Sequence, residues 1–376
     1  MRSRLAALPL LLTLPFATGC IKSALTNGQI SATREASGSF DRLGDYELAR
    51  SAAMAGLVQF EGMHELAPDN EDALYLLVSG WVGYGYAFAE DDMEAAQDRN
   101  DDAQAEYHQK RARQAYERGV QYGLELLGHR AGGFEAAKRD AATIKAWLRD
   151  NFDKKEDALN LYWVGAAWLS RVDIAKDDEA LVADLFIGIE MLEHSMRLDP
   201  TVQHYGAMAA LASYHARSPM GEMDQAKSMF EQAIAKTDRK ALFNVLAYGQ
   251  RYACMKVDRP LYEKLLNEVV NAGDPDPAQR LQNVVAQRRA KRYLGKSRMM
   301  DCGFDMSAPA APPPSSPAPA ASPAPAAPAA PASAAPASAA PATPAAAPKA
   351  PAPAASAAPK APASAAPATP PVAPKK

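Results

Sequence analysis

The sequence predicts an all-α protein, with tetratricopeptide-like helical repeats packed into a compact α-α superhelical body. Two observations support this fold class: apolar residues recur at helical spacing almost throughout residues 41–307, and no sustained alternation of apolar and polar residues predicts a sheet. Cap and turn sequences interrupt the pattern at intervals that predict about ten helices. These breaks are APDN (67–70), GHRAGG (128–133), RDNFDKK (149–155), LDPT (198–201), RSPMGE (217–222), VDRP (257–260) and GDPDP (273–277).

The chain begins with a sequence typical of an export signal. Arg2 and Arg4 precede an apolar run from Leu5 to Phe16, and the small residues of ATG then lead to Cys20. The run is shorter than the roughly 20 apolar residues that a membrane-spanning helix needs. We therefore predict a signal peptide at residues 1–19.

The end of this signal resembles a bacterial lipobox, in which the cysteine after the cleavage point is lipidated with palmitate-type acyl chains. This resemblance predicts lipidation of Cys20 and a lipid-anchored tether at residues 20–40. Ile21 and Lys22 follow the cysteine, and the missing aspartate favours the outer membrane over the inner one. The alternative is an ordinary secretory signal in which Cys20 is incidental.

The C-terminal segment, residues 308–376, has a composition unlike the rest of the chain. It consists almost entirely of Pro and Ala with some Ser and Thr, and it contains no aromatic or acidic residue. Such a segment buries too little apolar surface to offset its ordering entropy, so we predict a disordered tail. Fully extended, it would reach on the order of 200 Å, enough to contact a cell wall.

Charge and motifs favour a protein that is not an enzyme. The formal net charge of −3 provides no basic patch for nucleic acid. No P-loop, GxSxG, HExxH or CxxC motif occurs, so we predict no catalytic residue, no cofactor and no metal site. The acidic stretch from Glu90 to Glu106 lacks the spacing of an EF-hand loop. We interpret it as a solvated surface whose charge is compensated by Lys110, Arg111 and Arg113.

Helix pairs of the tetratricopeptide type carry small, bulky and small residues at offsets of four and three in their second helix. Three segments keep these offsets, and a fourth begins after LGDYELA with a small residue in the bulky place. Their separations are not multiples of the roughly 34-residue repeat, which favours a compact body over a regular peptide-binding superhelix. The residues are Ala49, Ala53 and Gly56; Ala112, Tyr116 and Gly119; Gly188, Leu192 and Ser195 with Pro200; and Ala226, Phe230 and Ala233.

The stretch SGWVGYGYAF (79–88) combines glycines with aromatic residues. On a helical wheel an apolar stripe of Leu77, Trp81, Tyr84 and Phe88 lies beside a small stripe of Gly80, Gly83 and Ala87. The small stripe would let a neighbouring helix approach closely. The aromatic stripe would either form ordinary core or line a cavity for a ligand.

Two cysteines remain if Cys20 is lipidated. Cys254 lies in a predicted helix and Cys302 lies just beyond the last one. In an oxidising compartment an even pair of cysteines favours a disulfide, which would attach the C-terminal end to the body. Two unpaired thiols are the alternative.

From Cys20 to Leu294 the sequence resembles the T-component of tripartite ATP-independent periplasmic (TRAP) transporters, the TatT-like lipoproteins. The resemblance is carried by the order of several segments, and the Pro/Ala tail and RSPMGE depart from the family pattern. The segments are the lipobox, GYGYAFAEDD (83–92), LYWVGAAWLSRV (161–172), FEQAI (230–234), LYEKLLNEVV (261–270) and LQNVVAQRRAKRYL (281–294).

The resemblance implies a periplasmic lipoprotein of tetratricopeptide-like helices that forms a homotrimer and binds the solute-receptor component of the transporter. It also implies a pore through each protomer that passes or holds a hydrophobic ligand, and no catalytic residue. Our candidates for the pore lining are Leu77, Trp81, Tyr84 and Phe88. A second hypothesis is a structural scaffold lipoprotein of the cell envelope, tethered to the cell wall by its tail.

Overall fold

The described part of the protein is entirely helical. A computed structural model describes residues 14–307, with side chains from Lys22 onward, and this range contains no β-strand. The all-α prediction is therefore confirmed, while the predicted tail at 308–376 and the first 13 residues of the predicted signal lie outside the described range. None of the helices within it is both long enough and apolar enough to cross a membrane.

Sixteen α-helices follow one another between residues 14 and 307. They are α1 (Leu14–Ala36), α2 (Tyr46–Leu66), α3 (Glu71–Tyr84), α4 (Glu90–Asp98), α5 (Asp102–Gly128), α6 (Phe134–Ala137), α7 (Ala141–Asn151), α8 (Asp157–Ile174), α9 (Glu179–Ala183), α10 (Leu185–Leu198), α11 (Gly206–His215), α12 (Met223–Lys236), α13 (Leu242–Ala247), α14 (Arg259–Asn271), α15 (Arg280–Tyr293) and α16 (Lys296–Asp301). Two π-helical segments, Gly85–Ala89 and Tyr248–Ala253, and two 3₁₀ turns, Ser37–Arg42 and Pro277–Gln279, complete the described chain.

The predicted breaks are confirmed, and several are helix caps. Asn70 of APDN accepts a hydrogen bond from the backbone N–H of Ala73 at 3.0 Å, and Asp258 of VDRP accepts one from Leu261 at 3.0 Å. There are more helices than the ten expected because α6, α9, α13 and α16 are only four to six residues long. A helix that short shows no apolar period.

The small–bulky–small spacing marks close helix packing. All nine residues of the three complete triplets are buried, among them Tyr116, Leu192 and Phe230, each with 0% of its surface exposed. The spacing therefore identifies residues of the core correctly. That the helix pairs are tetratricopeptide-like repeats stays a prediction.

The helices pack in an order that closes on itself. Contacts run from α2 to α3, α5, α8, α10, α11 and α12, then to α13, α14 and α15, and α15 packs back on α2. One large apolar core surrounds Tyr116 and a second surrounds Phe230 and Tyr262. The π-helical segment after α3 packs in the first core and the one after α13 packs in the second, and the candidate site is built around these two segments.

The segment predicted as a lipid-anchored tether is helical rather than extended. Helix α1 runs without interruption through residue 20, the predicted start of the tether. Ile30 is 1% exposed and packs with Met63 and Ala73, and the Arg34 guanidinium lies 3.0 Å from the centroid of the Tyr75 ring. The C-terminal half of α1 is thus docked on α2 and α3, while the predicted domain boundaries at 19, 40 and 307 stay predictions.

Candidate functional site

Two π-helical segments, one after α3 and one after α13, contribute residues to the candidate site. Gly85–Ala89 connects α3 to α4, and Tyr248–Ala253 continues α13. The wider turn leaves backbone carbonyls for other donors: the Tyr86 carbonyl accepts from Arg289 Nη2 at 2.6 Å, and that of Ala87 accepts from the Tyr46 hydroxyl at 2.9 Å. Such segments occur frequently at functional sites.

The glycines of SGWVGYGYAF have three different environments. A Cβ atom on Gly80 would lie 3.1 Å from Leu57 of α2, and one on Gly85 would lie 2.7 Å from the Tyr116 ring of α5. A Cβ on Gly83 would have no neighbour within 4 Å. The predicted close approach of a neighbouring helix is therefore correct at Gly80 but wrong at Gly83. Helix α2 contacts the face at Gly80 and α5 contacts the face at Gly85, and neither reaches the face at Gly83.

The apolar stripe contains the predicted pore lining of Leu77, Trp81, Tyr84 and Phe88. Leu77 and Phe88 are 0% and 2% exposed, and the Tyr84 ring centroid lies 6.2 Å from those of both Trp81 and Phe88. Trp81 is half-buried at the outer end, where its Nε1 donates to Glu61 at 3.0 Å and Arg118 covers its ring. The three aromatic side chains thus form one contiguous cluster, and their role as a pore lining stays a prediction.

The acidic stretch is the predicted solvated surface only at its C-terminal end, where the exposed Glu106 pairs with Lys110 at 2.7 Å as expected. Asp91, by contrast, is fully buried and forms ion pairs with two arginines of α15, Arg288 Nε at 2.6 Å and Arg292 Nη1 at 2.7 Å. Burial alone would raise the pKa of Asp91, but the two guanidinium groups outweigh it and lower that pKa. The sequence does not predict this pairing, because α15 lies about 200 residues further along the chain.

Cys254 and Cys302 form a disulfide, with a Cα–Cα distance of 5.0 Å. The first cysteine follows the second π-helical segment and the second follows α16. The C-terminal end of the body is thereby attached beside that segment. Among the described residues, no group of His, Cys, Asp and Glu side chains has the geometry to hold a metal ion.

Arg251, in the second π-helical segment, and Asp173, in α8, form an ion pair between two distant parts of the chain. Their side chains keep 39% and 43% of their surface accessible, so the pair can be reached from solvent. Arg251 Nη2 donates to Asp173 Oδ2 at 3.0 Å.

Tyr86 and Phe243 form an aromatic pair near Arg251. The Tyr86 and Phe243 rings meet edge to face with centroids 5.3 Å apart, and both side chains are partly accessible. Tyr86 interacts electrostatically with Arg251 and with Tyr162 of α8. Burial raises the pKa of Tyr86 to about 12 and raises that of Tyr162 as well, so both phenols are neutral donors near pH 7.

A buried ion pair between α15 and α4 packs against the Tyr86 ring. Arg289 is 3% exposed, its guanidinium covers the Tyr86 ring at 3.9 Å, and its Nη2 lies 3.2 Å from Glu90 Oε2. The Tyr116 hydroxyl donates to the other oxygen of Glu90. Burial raises the pKa of Glu90, and Arg289 opposes that rise. Both oxygens of Glu90 are occupied, so this carboxylate offers little to a ligand.

Nothing in the sequence distinguishes Arg251, Asp173, Tyr86 or Phe243 as site residues. One signal could have pointed to two of them, because a Tyr-Gly pair stands at the start of each π-helical segment and a second tyrosine follows it, in YGY at 84–86 and in YGQRY at 248–252. Only the tertiary structure brings Tyr86 close enough to Arg251 to interact with it electrostatically.

A family model described as TRAP transporter T-component matches residues 43–300. The chain belongs to this family. It is therefore an accessory component of a tripartite ATP-independent periplasmic transporter, from a family of periplasmic or membrane-associated components that are not enzymes. A search of curated proteins finds no match. The matched range includes both π-helical segments and the candidate site residues Tyr86, Asp173, Phe243 and Arg251.

Proposed function

We propose that this T-component is a lipid-anchored periplasmic subunit that holds a hydrophobic ligand in a pore within its closed ring of helices and docks the soluble solute receptor of its transporter. The observation that supports the ligand-holding role is the closed order of helix contacts, which runs from α2 through α15 and back to α2. Family membership supports association with other transporter components. The resemblance to TatT-like lipoproteins supports the receptor as the partner and a homotrimer as the assembly.

Receptor docking is tested with the purified T-component immobilised and the purified receptor of the same transporter in solution. We expect direct, saturable association, and sedimentation of the T-component alone at the mass of a trimer. A receptor that fails to bind, together with retention of the chain on isolated cell wall that is lost when residues 308–376 are deleted, would favour the envelope scaffold instead.

The lipid anchor is tested by replacing Cys20 with Ser. We expect the variant to move from the membrane fraction to the soluble periplasmic fraction and to lose incorporation of labelled palmitate, because the acyl chains supply the membrane affinity. Cys254→Ser is the matched control, since it removes a cysteine of the Cys254–Cys302 disulfide and should leave the chain on the membrane. A Cys20→Ser variant that remains membrane-bound would exclude this anchor.

A further inference from the structure

We infer that the solvent-facing side of α2 pairs with the same side of α2 in a second copy of this chain, antiparallel and about a two-fold axis. A two-fold contact cannot lie within a three-fold ring, so in the proposed homotrimer it joins copies of neighbouring trimers. The inference goes beyond the proposed function and rests only on its lipid anchor, which gathers the copies on one surface. Three features of α2 support it: an uncharged exposed face, an exposed glycine, and a symmetric spacing.

The exposed face of α2 is apolar and carries no charge over most of its length. Leu48, Val58 and Leu66 keep 56%, 75% and 66% of their surface exposed. Between Glu47 and Glu65 every exposed residue of the helix is uncharged. The exposed side of α5, the other long helix of the body, by contrast carries acidic and basic residues along its length. An exposed apolar face of this kind is typical of a contact with another protein.

Gly62 lies on this face without a packing role inside its own chain. A Cβ atom at this position would have no neighbour within 4 Å. Glycine inside a helix costs about 1 kcal/mol relative to alanine. A second helix would offset that cost, because small residues let two helices approach closely. Ala52 and Ala55 are exposed on the same face, which makes it suited to another helix.

The spacing of the exposed residues is the same in both directions along α2. Six of them follow one another at intervals of four and three, which is the spacing of a coiled-coil seam. They are Leu48, Ala52, Ala55, Gln59, Gly62 and Leu66. In an antiparallel pair the first of these lies opposite the sixth, the second opposite the fifth and the third opposite the fourth. Leucine then meets leucine at both ends with smaller residues between them, and such self-complementarity is what a two-fold interface requires.

The contact is small for a pair of proteins. The seam from Leu48 to Leu66 is roughly 27 Å long, and a single helix pair of this length reaches at most the low end of stable interfaces, about 1,200 Å². Pairing therefore needs a high local concentration, which anchoring at Cys20 provides on a membrane. We expect it on membranes rather than in dilute solution.

The test places single cysteines in the full chain and treats isolated membranes with a thiol cross-linker a few ångströms long. Val58 lies beside the two-fold axis, so Val58→Cys should convert almost completely to a covalent dimer. Leu48→Cys is the matched control, because its two copies would be roughly 27 Å apart and should not link. Combining Leu48→Cys with Leu66→Cys should restore the link, since these positions lie opposite each other.

A charge at the axis tests the contact further. Val58→Arg, added to the Leu48→Cys and Leu66→Cys pair, should abolish the link because two like charges would face each other. Met220→Arg replaces an exposed apolar residue outside α2 and should leave the link intact.

Linking of both single-cysteine variants would overturn the antiparallel pairing, since only a parallel contact or random collision joins both. Absence of any link in membrane-bound chain would overturn the pairing and leave the anchor and the trimer in place. Absence of a link in chain that has left the membrane would overturn the pairing together with the anchor on which it rests. If no link forms and Val58→Arg abolishes receptor association, the face belongs to the receptor and the pairing is overturned.

Discussion

The two glycines at positions 83 and 85 predict opposite effects of the same substitution. Both lie in a continuous helical segment, where alanine is intrinsically favoured over glycine. A Cβ on Gly83 has no neighbour within 4 Å, whereas a Cβ on Gly85 would lie 2.7 and 2.9 Å from two carbons of the Tyr116 ring. We therefore expect Gly83→Ala to stabilise the protein and Gly85→Ala to destabilise it relative to that variant.

The magnitude follows from two terms. Replacing glycine by alanine within a helix stabilises it by about 1 kcal/mol, and this term is shared by the two variants. Gly85→Ala also forces an extra methyl group into a packed core, which costs about 1–3 kcal/mol. Tyr116 is 0% exposed and its hydroxyl is bonded to Glu90, so its ring has no free space to move into. The difference between the variants should therefore be about 1–3 kcal/mol.

Thermal unfolding of the two variants and the wild type measures this difference. For a body of this size, each kcal/mol shifts Tm by about 2 °C, so Gly85→Ala should melt several degrees below Gly83→Ala. A second variant, Gly85→Ala with Tyr116→Phe, tests whether the hydroxyl bond holds the ring in place, since freeing the ring should recover part of the loss. Equal melting temperatures for the two alanine variants would refute the close approach of α5 to Gly85.

Three further substitutions test other parts of the structure. Asp91→Ala should cost up to about 3–5 kcal/mol in chemical unfolding, because it removes the buried carboxylate shared by Arg288 and Arg292, while Arg292 keeps Glu94 and Asp98 as partners. Since the folded pKa of Asp91 is lowered, its contribution is fully present above about pH 4 and is lost as the pH falls through the folded value, so the wild type should lose more stability in acid than the variant. Cys254→Ser opens a loop of 48 residues and should cost about 4 kcal/mol in the chain-entropy account, and reductant should then lower the Tm of the wild type only. Trp81→Ala should cost about 2 kcal/mol in thermal unfolding, less than the roughly 3–5 kcal/mol of a fully buried tryptophan, and should leave retention of any co-purifying apolar molecule unchanged. Native stability with altered ligand retention would instead support the predicted lumen at Trp81.

The fold class could be predicted because its signals are local. The cap at Asn70 and the spacing of Ala226, Phe230 and Ala233 are read within a few residues, and the structure places the cap at a helix start and the triplet in a core. The resemblance to the T-component family is likewise carried by short segments in a fixed order, and the family model confirms it.

The candidate site could not be predicted because its residues meet only through the tertiary structure. Arg251 and Asp173 are separated by 78 residues, and nothing in either neighbourhood distinguishes them from surface charges. Gly83 was assigned to a helix contact because a helical wheel shows which residues share a face but not which faces have neighbours. The acidic stretch was assigned to solvent because its counter-ions were sought nearby rather than in α15.

The pairing of α4 with α15 also constrains the order in which this protein can fold. Asp91 emerges in the first third of the chain, but Arg288 and Arg292 are supplied only after nearly all the helices between them. Until α15 is available, the carboxylates of α4 have no arginine partners and their burial is unfavourable. We therefore expect α4 to dock on the body only after the C-terminal helices have formed. Contacts of such long sequence separation slow folding. A chain truncated before α15 should therefore leave α4 solvated and the first core incomplete. The N-terminal core thus needs the C-terminal helices in order to form.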